Sequence, residues 1–211
     1  IESVESIFEK RESAENWFKV CHEWLSPFTA SHISNPAYMG ADEVVTGNFL
    51  RQQLGYAWSG LYIADGVQMA QNPYCNMWEK TAVYSSIRYC NTFLEMVGNV
   101  YNMTDEEKVL WSAEIKALKA HYYFELLRHY GPFVIVAKNV APNADISDMK
   151  KPRSPFDVCV EEIVSLLDEA MKDLPPMNQK EASRRAYHSL ESAATLKALT
   201  LFYAASPLFN G

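Results

Sequence analysis

The stretch "TDEEKVLWSAEIKALKAHYYFELLRHYGP" (104–132) limits the possible folds more than any other part of this chain. Thr104 followed by Glu107 is a capping box, in which the two side chains satisfy the free N–H groups at a helix start. Gly131-Pro132 supplies the stop, because proline lacks an N–H and clashes with the turn before it. Nothing between them breaks a helix. Leu110, Ala113, Ala117, Ala120, Phe124 and Leu127 recur at spacings of three and four, which predicts a buried stripe along the whole length. Helical stability in proteins comes mostly from packing such a stripe, so this helix demands neighbours.

Neighbours are legible by the same rules. Ser13 reads as the N-cap of a helix carrying Trp17, Cys21, Trp24 and Leu25, closed by Ser26-Pro27. A second helix is predicted from Asn76 to Val97, with Tyr84, Ile87, Asn91 and Leu94 on one stripe and Gly98 at its end. Ser154-Pro155 opens a third with proline at its first position. Its buried face is Phe156, Val160, Ile163, Leu167, Ala170 and Leu174, and Pro175-Pro176 stops it. The last, from Ser189 to Ala205, carries Ala193, Ala194, Ala198, Leu201, Ala204 and Ala205, small residues that admit a close neighbour. Residues 27–50 are irregular, 48–73 mix the patterns, and the short β-branched run 133–136 leads into a polar loop. The expected fold is all-α, antiparallel helix pairs with long irregular connections. No tetratricopeptide period of about 34 residues is readable from the spacing.

Composition narrows the function. With 48% hydrophobic and 21% charged residues the chain buries a sizeable core. A net charge of −7 without a basic stripe argues against nucleic acid. The short clusters Lys150-Lys151-Arg153 and Arg184-Arg185 read as solvated loop charge. Cys21, Cys75, Cys90 and Cys159 contain no C-x-x-C pair; one disulfide is compatible with them, and the spacing does not choose its partners. No apolar run reaches the roughly 20 residues that span a bilayer. The absence of a leader from these residues says nothing about where the protein resides.

Enzyme signatures fail one by one. His121, Glu125 and His129 share a helix face and two of them have ligand spacing, but the pattern is not H-E-x-x-H and reads as the polar flank of a packed helix. Asp105, Glu106 and Glu107 are explained by the helix dipole. Paired acids, nucleophile elbows and phosphate-cradling glycine loops are missing. No catalytic residue, metal or cofactor is assigned. Tyr56, Trp58 and Tyr62 are more suggestive, since Trp58 and Tyr62 share a face if their stretch is helical. Flat aromatic faces beside Asn48, Arg51, Gln52 and Gln53 suit the apolar face and hydroxyls of a sugar ring. Asp42 and Glu43 lie in the preceding irregular loop, where function concentrates. The candidate ligand-binding residues are therefore Trp58, Tyr56, Tyr62, Arg51, Asn48 and Asp42, against the alternative that these aromatics are ordinary core.

Four ordered segments then resemble the SusD/RagB family. "EIKALKAHYYFELLRHYGPFVIV" (114–136) resembles its most recognisable helix and the extended segment after it. "WEKTAVYSSIRYCNTFLE" (78–95), "RSPFDVCVEEIVSLLDEAMKDLPP" (153–176) and "ATLKALTLFYAASPLFNG" (194–211) are similar to three more of its motifs, and the opening segment also matches. Lys119 departs from the family's usual arginine, and "HSLESAATLKALT" is less typical. The resemblance implies a tetratricopeptide-bearing, SusD-like N-terminal part over 1–211, with the C-terminal half missing. It also implies a signal peptide and a lipid-carrying cysteine upstream of Ile1. The expected role is non-catalytic capture of polysaccharide or oligosaccharide at the outer-membrane surface, for a SusC-like TonB-dependent transporter. The alternatives are a peptide-binding RagB-like protein and a cytosolic tetratricopeptide adaptor.

Overall fold

The capping box closes as its residues require. In the computed structural model, which describes residues 4–25, 40, 45, 47–54, 59–67, 69–71, 78, 83–141 and 143–210, the Glu107 N–H donates to Thr104 Oγ1 at 3.2 Å. The Thr104 N–H donates back to Glu107 Oε2 at 3.1 Å. The helix they open runs Asp105–Tyr130, and Gly131 ends it at φ 69°, a conformation that favours glycine.

Among the described residues the α-helices are, in chain order, α1 (Val4–Ile7), α2 (Arg11–His22), α3 (Asn48–Leu54), α4 (Ser59–Ala64) and α5 (Val83–Met96). They continue with α6 (Asp105–Tyr130), α7 (Ile146–Met149), α8 (Phe156–Met171), α9 (Leu190–Ala204) and α10 (Pro207–Asn210). The all-α expectation is met. The chain divides into two units, one of residues 1–24 and 83–211, the other of residues 25–82.

Within the first unit successive helices pack antiparallel. Lys116 on α6 pairs with Glu169 on α8 at 2.8 Å, while the following end of α6 reaches the start of α8, where Phe133 N–H meets Cys159 Sγ. Lys197 on α9 pairs with Asp168 on α8 at 2.6 Å, and the Phe156 and Phe209 rings stack 4.0 Å apart at the other end. Against α5, α2 sets Trp17 beside Tyr89 and Phe18 beside Phe93. No helix among the described residues is long and apolar enough to cross a membrane.

The details differ from the sequence reading in ways that have causes. Helix α2 starts at Arg11, not after Ser13, because Asn102 Oδ1 accepts the Arg11 N–H at 2.6 Å from across the fold and replaces a serine cap. Trp24 lies beyond the helix and is 40% exposed. Helix α6 is buried on nearly every side from Ala113 to Leu127, because α2, α5, α8 and α9 all pack on it; a single stripe was too narrow a description. On α9, Ala193, Leu196 and Thr200 face inward, whereas Ala194, Ala198 and Leu201 are exposed. Ser206-Pro207 does end α9, and Pro207 then opens the short α10.

The run Phe133–Val136 is extended yet joins no sheet. Its backbone is satisfied by side chains instead. Val134 N–H donates to Tyr84 Oη, which donates back to Val134 C=O; Val136 N–H donates to Tyr123 Oη at 2.9 Å; Asn91 Nδ2 donates to Val136 C=O at 3.0 Å. Lys119, 3% exposed, extends the row by donating to Ala137 C=O. Tyr123→Phe deletes one acceptor and leaves the Val136 N–H unpaired, so it is expected to cost about 1–3 kcal/mol in urea unfolding, with little change in helical circular dichroism.

Candidate functional site

The second unit carries the residues that the sequence marks for a ligand. Asn48 and Arg51 share α3, and Tyr62 lies on α4. Among the described residues, the mixed pattern of 48–73 contains two short helices. Asp42, Tyr56 and Trp58 lie outside the described residues. On α3 the side chains of Asn48, Phe49, Gln52 and Gln53 are exposed. Phe49 is 72% exposed. Gln52 and Gln53 follow it by three and four positions, so all three occupy one face. An exposed ring flanked by amides is the arrangement sought around Trp58, and sequence reasoning passed over Phe49 because a lone phenylalanine reads as core.

The first unit has a cleft of about 250 Å³, lined by Arg11, Glu107, Trp111, Gln179, Lys180 and Arg184 among others. Its charges are already engaged. Arg11 Nε donates to Glu107 Oε1 at 2.9 Å and Nη1 to Glu15 at 3.1 Å; these contacts hold both carboxyls below the usual carboxylate range, with Lys19 the larger influence on Glu15. Beneath them Glu114, fully buried, accepts from Lys180 Nζ at 2.8 Å and from Arg184. The Arg184 guanidinium also lies over the rings of Trp111, Phe18 and Tyr187, at 4.5, 4.9 and 5.1 Å. Arg184 is therefore largely enclosed, not the solvated loop charge that Arg184-Arg185 suggested, whereas Arg185 is exposed. Trp111 is 1% exposed, so it has no free face to offer a sugar. This cleft is a structural clasp with little left for a guest.

The His121, Glu125, His129 row is also engaged with the protein itself. Glu125, 3% exposed, pairs with Arg128 at 2.8 Å, and His129 Nδ1 lies 2.9 Å from the Glu125 carbonyl oxygen. Burial pushes the Glu125 carboxyl up, and Arg128 partly offsets it. Glu125 is buried while His121 and His129 are half-buried and Arg128 is exposed, so the row is a polar edge of the packed helix, tied together by its own contacts. Among the described residues no group of three His, Cys, Asp or Glu is placed to hold a metal.

Comparison with known proteins settles the family. A model of the SusD-like family, described as starch-binding and associating with the outer membrane, matches residues 20–201. The chain belongs to the SusD-like family. Among curated sequences nothing matches it. Among solved structures the protein BT4246 is similar at 28% identity and a TM-score of 0.79, over 96% of this chain and 32% of that one. A SusD-like protein from Bacteroides fragilis NCTC 9343 is similar at 20% identity and 0.73, over 94% and 36%. A laminarin-binding SusD-like protein is similar at 17% and 0.74, over 92% and 40%. The chain thus spans between 32% and 40% of the length of these structures. In this SusD-like chain the motif residues are scaffold: Glu114, Lys119, Tyr122, Tyr123 and Arg128 all bond to the protein itself.

Two expected outcomes test the clasp and its surroundings. Glu114→Ala leaves two cations without their carboxylate and should lose about 3–5 kcal/mol of stability in urea unfolding. Arg185→Ala should change it by less than about 0.5 kcal/mol. Burial lowers His22 and His121 to about 4 and His188 to about 3, with neighbouring cations adding to each. These folded values lie below that of a free imidazole, so below about pH 6.5 the unfolded chain takes up protons that the folded one refuses. Stability should decline as pH falls from 6.5 toward 4, read as a Tm lower by several degrees at pH 5 than at pH 7. His121→Gln should flatten that slope, and a flat wild-type profile would place the rings in water.

Proposed function

We propose that this chain captures polysaccharide or oligosaccharide at the bacterial outer-membrane surface, without cleaving it, for import through a SusC-like TonB-dependent transporter. The observation that carries the reading is the family match over 20–201, together with a laminarin-binding structure that superposes on 92% of the chain. The exposed row Asn48, Phe49, Gln52 and Gln53 on α3 supports it chemically, since a ring face and amide groups meet the two surfaces of a pyranose. Tyr56, Trp58, Tyr62, Arg51 and Asp42 complete the proposed contact set. Attachment is through a lipid on a cysteine upstream of Ile1, and the first unit is the scaffold that docks the transporter.

Calorimetry with a panel of soluble polysaccharides, laminarin included, tests this on the full-length protein. One polysaccharide should bind and be recovered uncleaved. Phe49→Ala and Trp58→Ala should each weaken that binding by about 3- to 10-fold, in line with the ≈ 0.5–1.5 kcal/mol of an aromatic contact, while helical circular dichroism stays unchanged. Wild-type affinity in both variants would remove α3 and its neighbours from the site. Silence across the panel would remove glycan capture itself.

A further inference from the structure

Charge is spread unevenly along the chain, and the second unit has little of it. The protein carries 19 lysines and arginines and 26 acids, yet residues 25–82 hold only Asp42, Glu43, Arg51, Asp65, Glu79 and Lys80. Amides take their place: Gln52, Gln53, Gln68 and Gln71 lie in this segment, and only Gln179 lies outside it. The surface follows the composition. Among the described residues of 25–82 no exposed side chain is charged, and Asp65 is half-buried. The exposed side chains offer amides at Asn48, Gln52, Gln53 and Gln71, or apolar area, with Phe49 72% and Met69 59% exposed. An ordinary soluble surface is roughly a quarter to a third charged. The first unit conforms to that, α8 alone exposing Asp157, Glu161 and Glu169.

Resting on glycan capture at α3 and its neighbours, we propose that the ligand is an uncharged glycan, a polymer of neutral sugars without uronic acid, sulfate or phosphate groups. A sugar hydroxyl both donates and accepts, and a side-chain amide does the same from its two ends. Ring faces cover the C–H side of a pyranose. A carboxylate or sulfate needs a guanidinium or ammonium to pair with. Against amides and rings alone it loses hydration that nothing replaces. Within the proposed contact set Arg51 and Asp42 cancel in charge, and the acids of 25–82 outnumber its bases. A polyanion also meets a chain of net charge −7, which repels it at long range. A neutral polymer meets neither obstacle.

Calorimetry on the full-length protein tests this with neutral polysaccharides (laminarin, soluble starch, mannan, xyloglucan) against acidic ones (polygalacturonate, alginate, chondroitin sulfate). Each is titrated at low and at high sodium chloride. A neutral polymer should bind, with affinity changing less than about 3-fold between roughly 0.05 and 0.5 M salt, because amide and ring contacts are short-range and unscreened. Every acidic polymer should bind at least about 10-fold more weakly in low salt, where repulsion is strongest. Phe49→Ala should lose the same factor at both salt concentrations, as a ring contact does and an ion pair does not. An acidic polymer within that 10-fold margin, a larger fall of the neutral affinity with salt, or an unequal Phe49→Ala loss overturns the uncharged ligand and leaves glycan capture standing. Silence from both groups overturns glycan capture, and the uncharged ligand with it.

Discussion

One buried carboxylate organises the first unit. Glu114 has no exposure and sits midway along the central helix, so its charge requires partners. Lys180 and Arg184 supply them from the connection between α8 and α9. Lys180 also donates to the Tyr187 and His188 carbonyls, which fixes the chain just before the Ser189 cap of α9. Arg184 then fills the space against Trp111, Phe18 and Tyr187. An irregular connection is thereby held as firmly as a helix, and the course of α9 follows from it.

The regular parts of this arrangement were written plainly in the chain. Thr104 with Glu107, Gly131, Ser189 and the proline stops act locally, through groups a few residues apart, and local rules read them. What the sequence hid were interactions over long separations. Glu114 looks like any surface glutamate in "AEIKALK", and its partners lie 66 and 70 residues away. Arg184 looks like solvated charge until Phe18 and Trp111 are beside it. The α2 start moved because its cap comes from Asn102, 91 residues on. The Phe133–Val136 run resembles a strand because β-branched residues prefer extended backbone, yet tyrosine hydroxyls took the place of a partner strand.

The candidate site divides along the same line. Asn48, Arg51 and Tyr62 are proposed from residue type, and they lie on two short helices of one unit. Phe49 was missed because exposure, unlike periodicity, is not written in a single residue. The motifs that reveal the family say little about ligand, since Tyr122, Tyr123 and Arg128 spend their polar groups on the protein's own backbone and carboxylates.

The route of the chain has a further consequence. Residues 25–82 leave from the end of α2 and return at the start of α5, and these two helices are antiparallel neighbours. A segment that connects two helices packed on each other can change length and sequence without redrawing those helices. A lineage of such proteins can therefore diversify its surface chemistry by rewriting one cassette, while the helical framework is inherited almost unchanged.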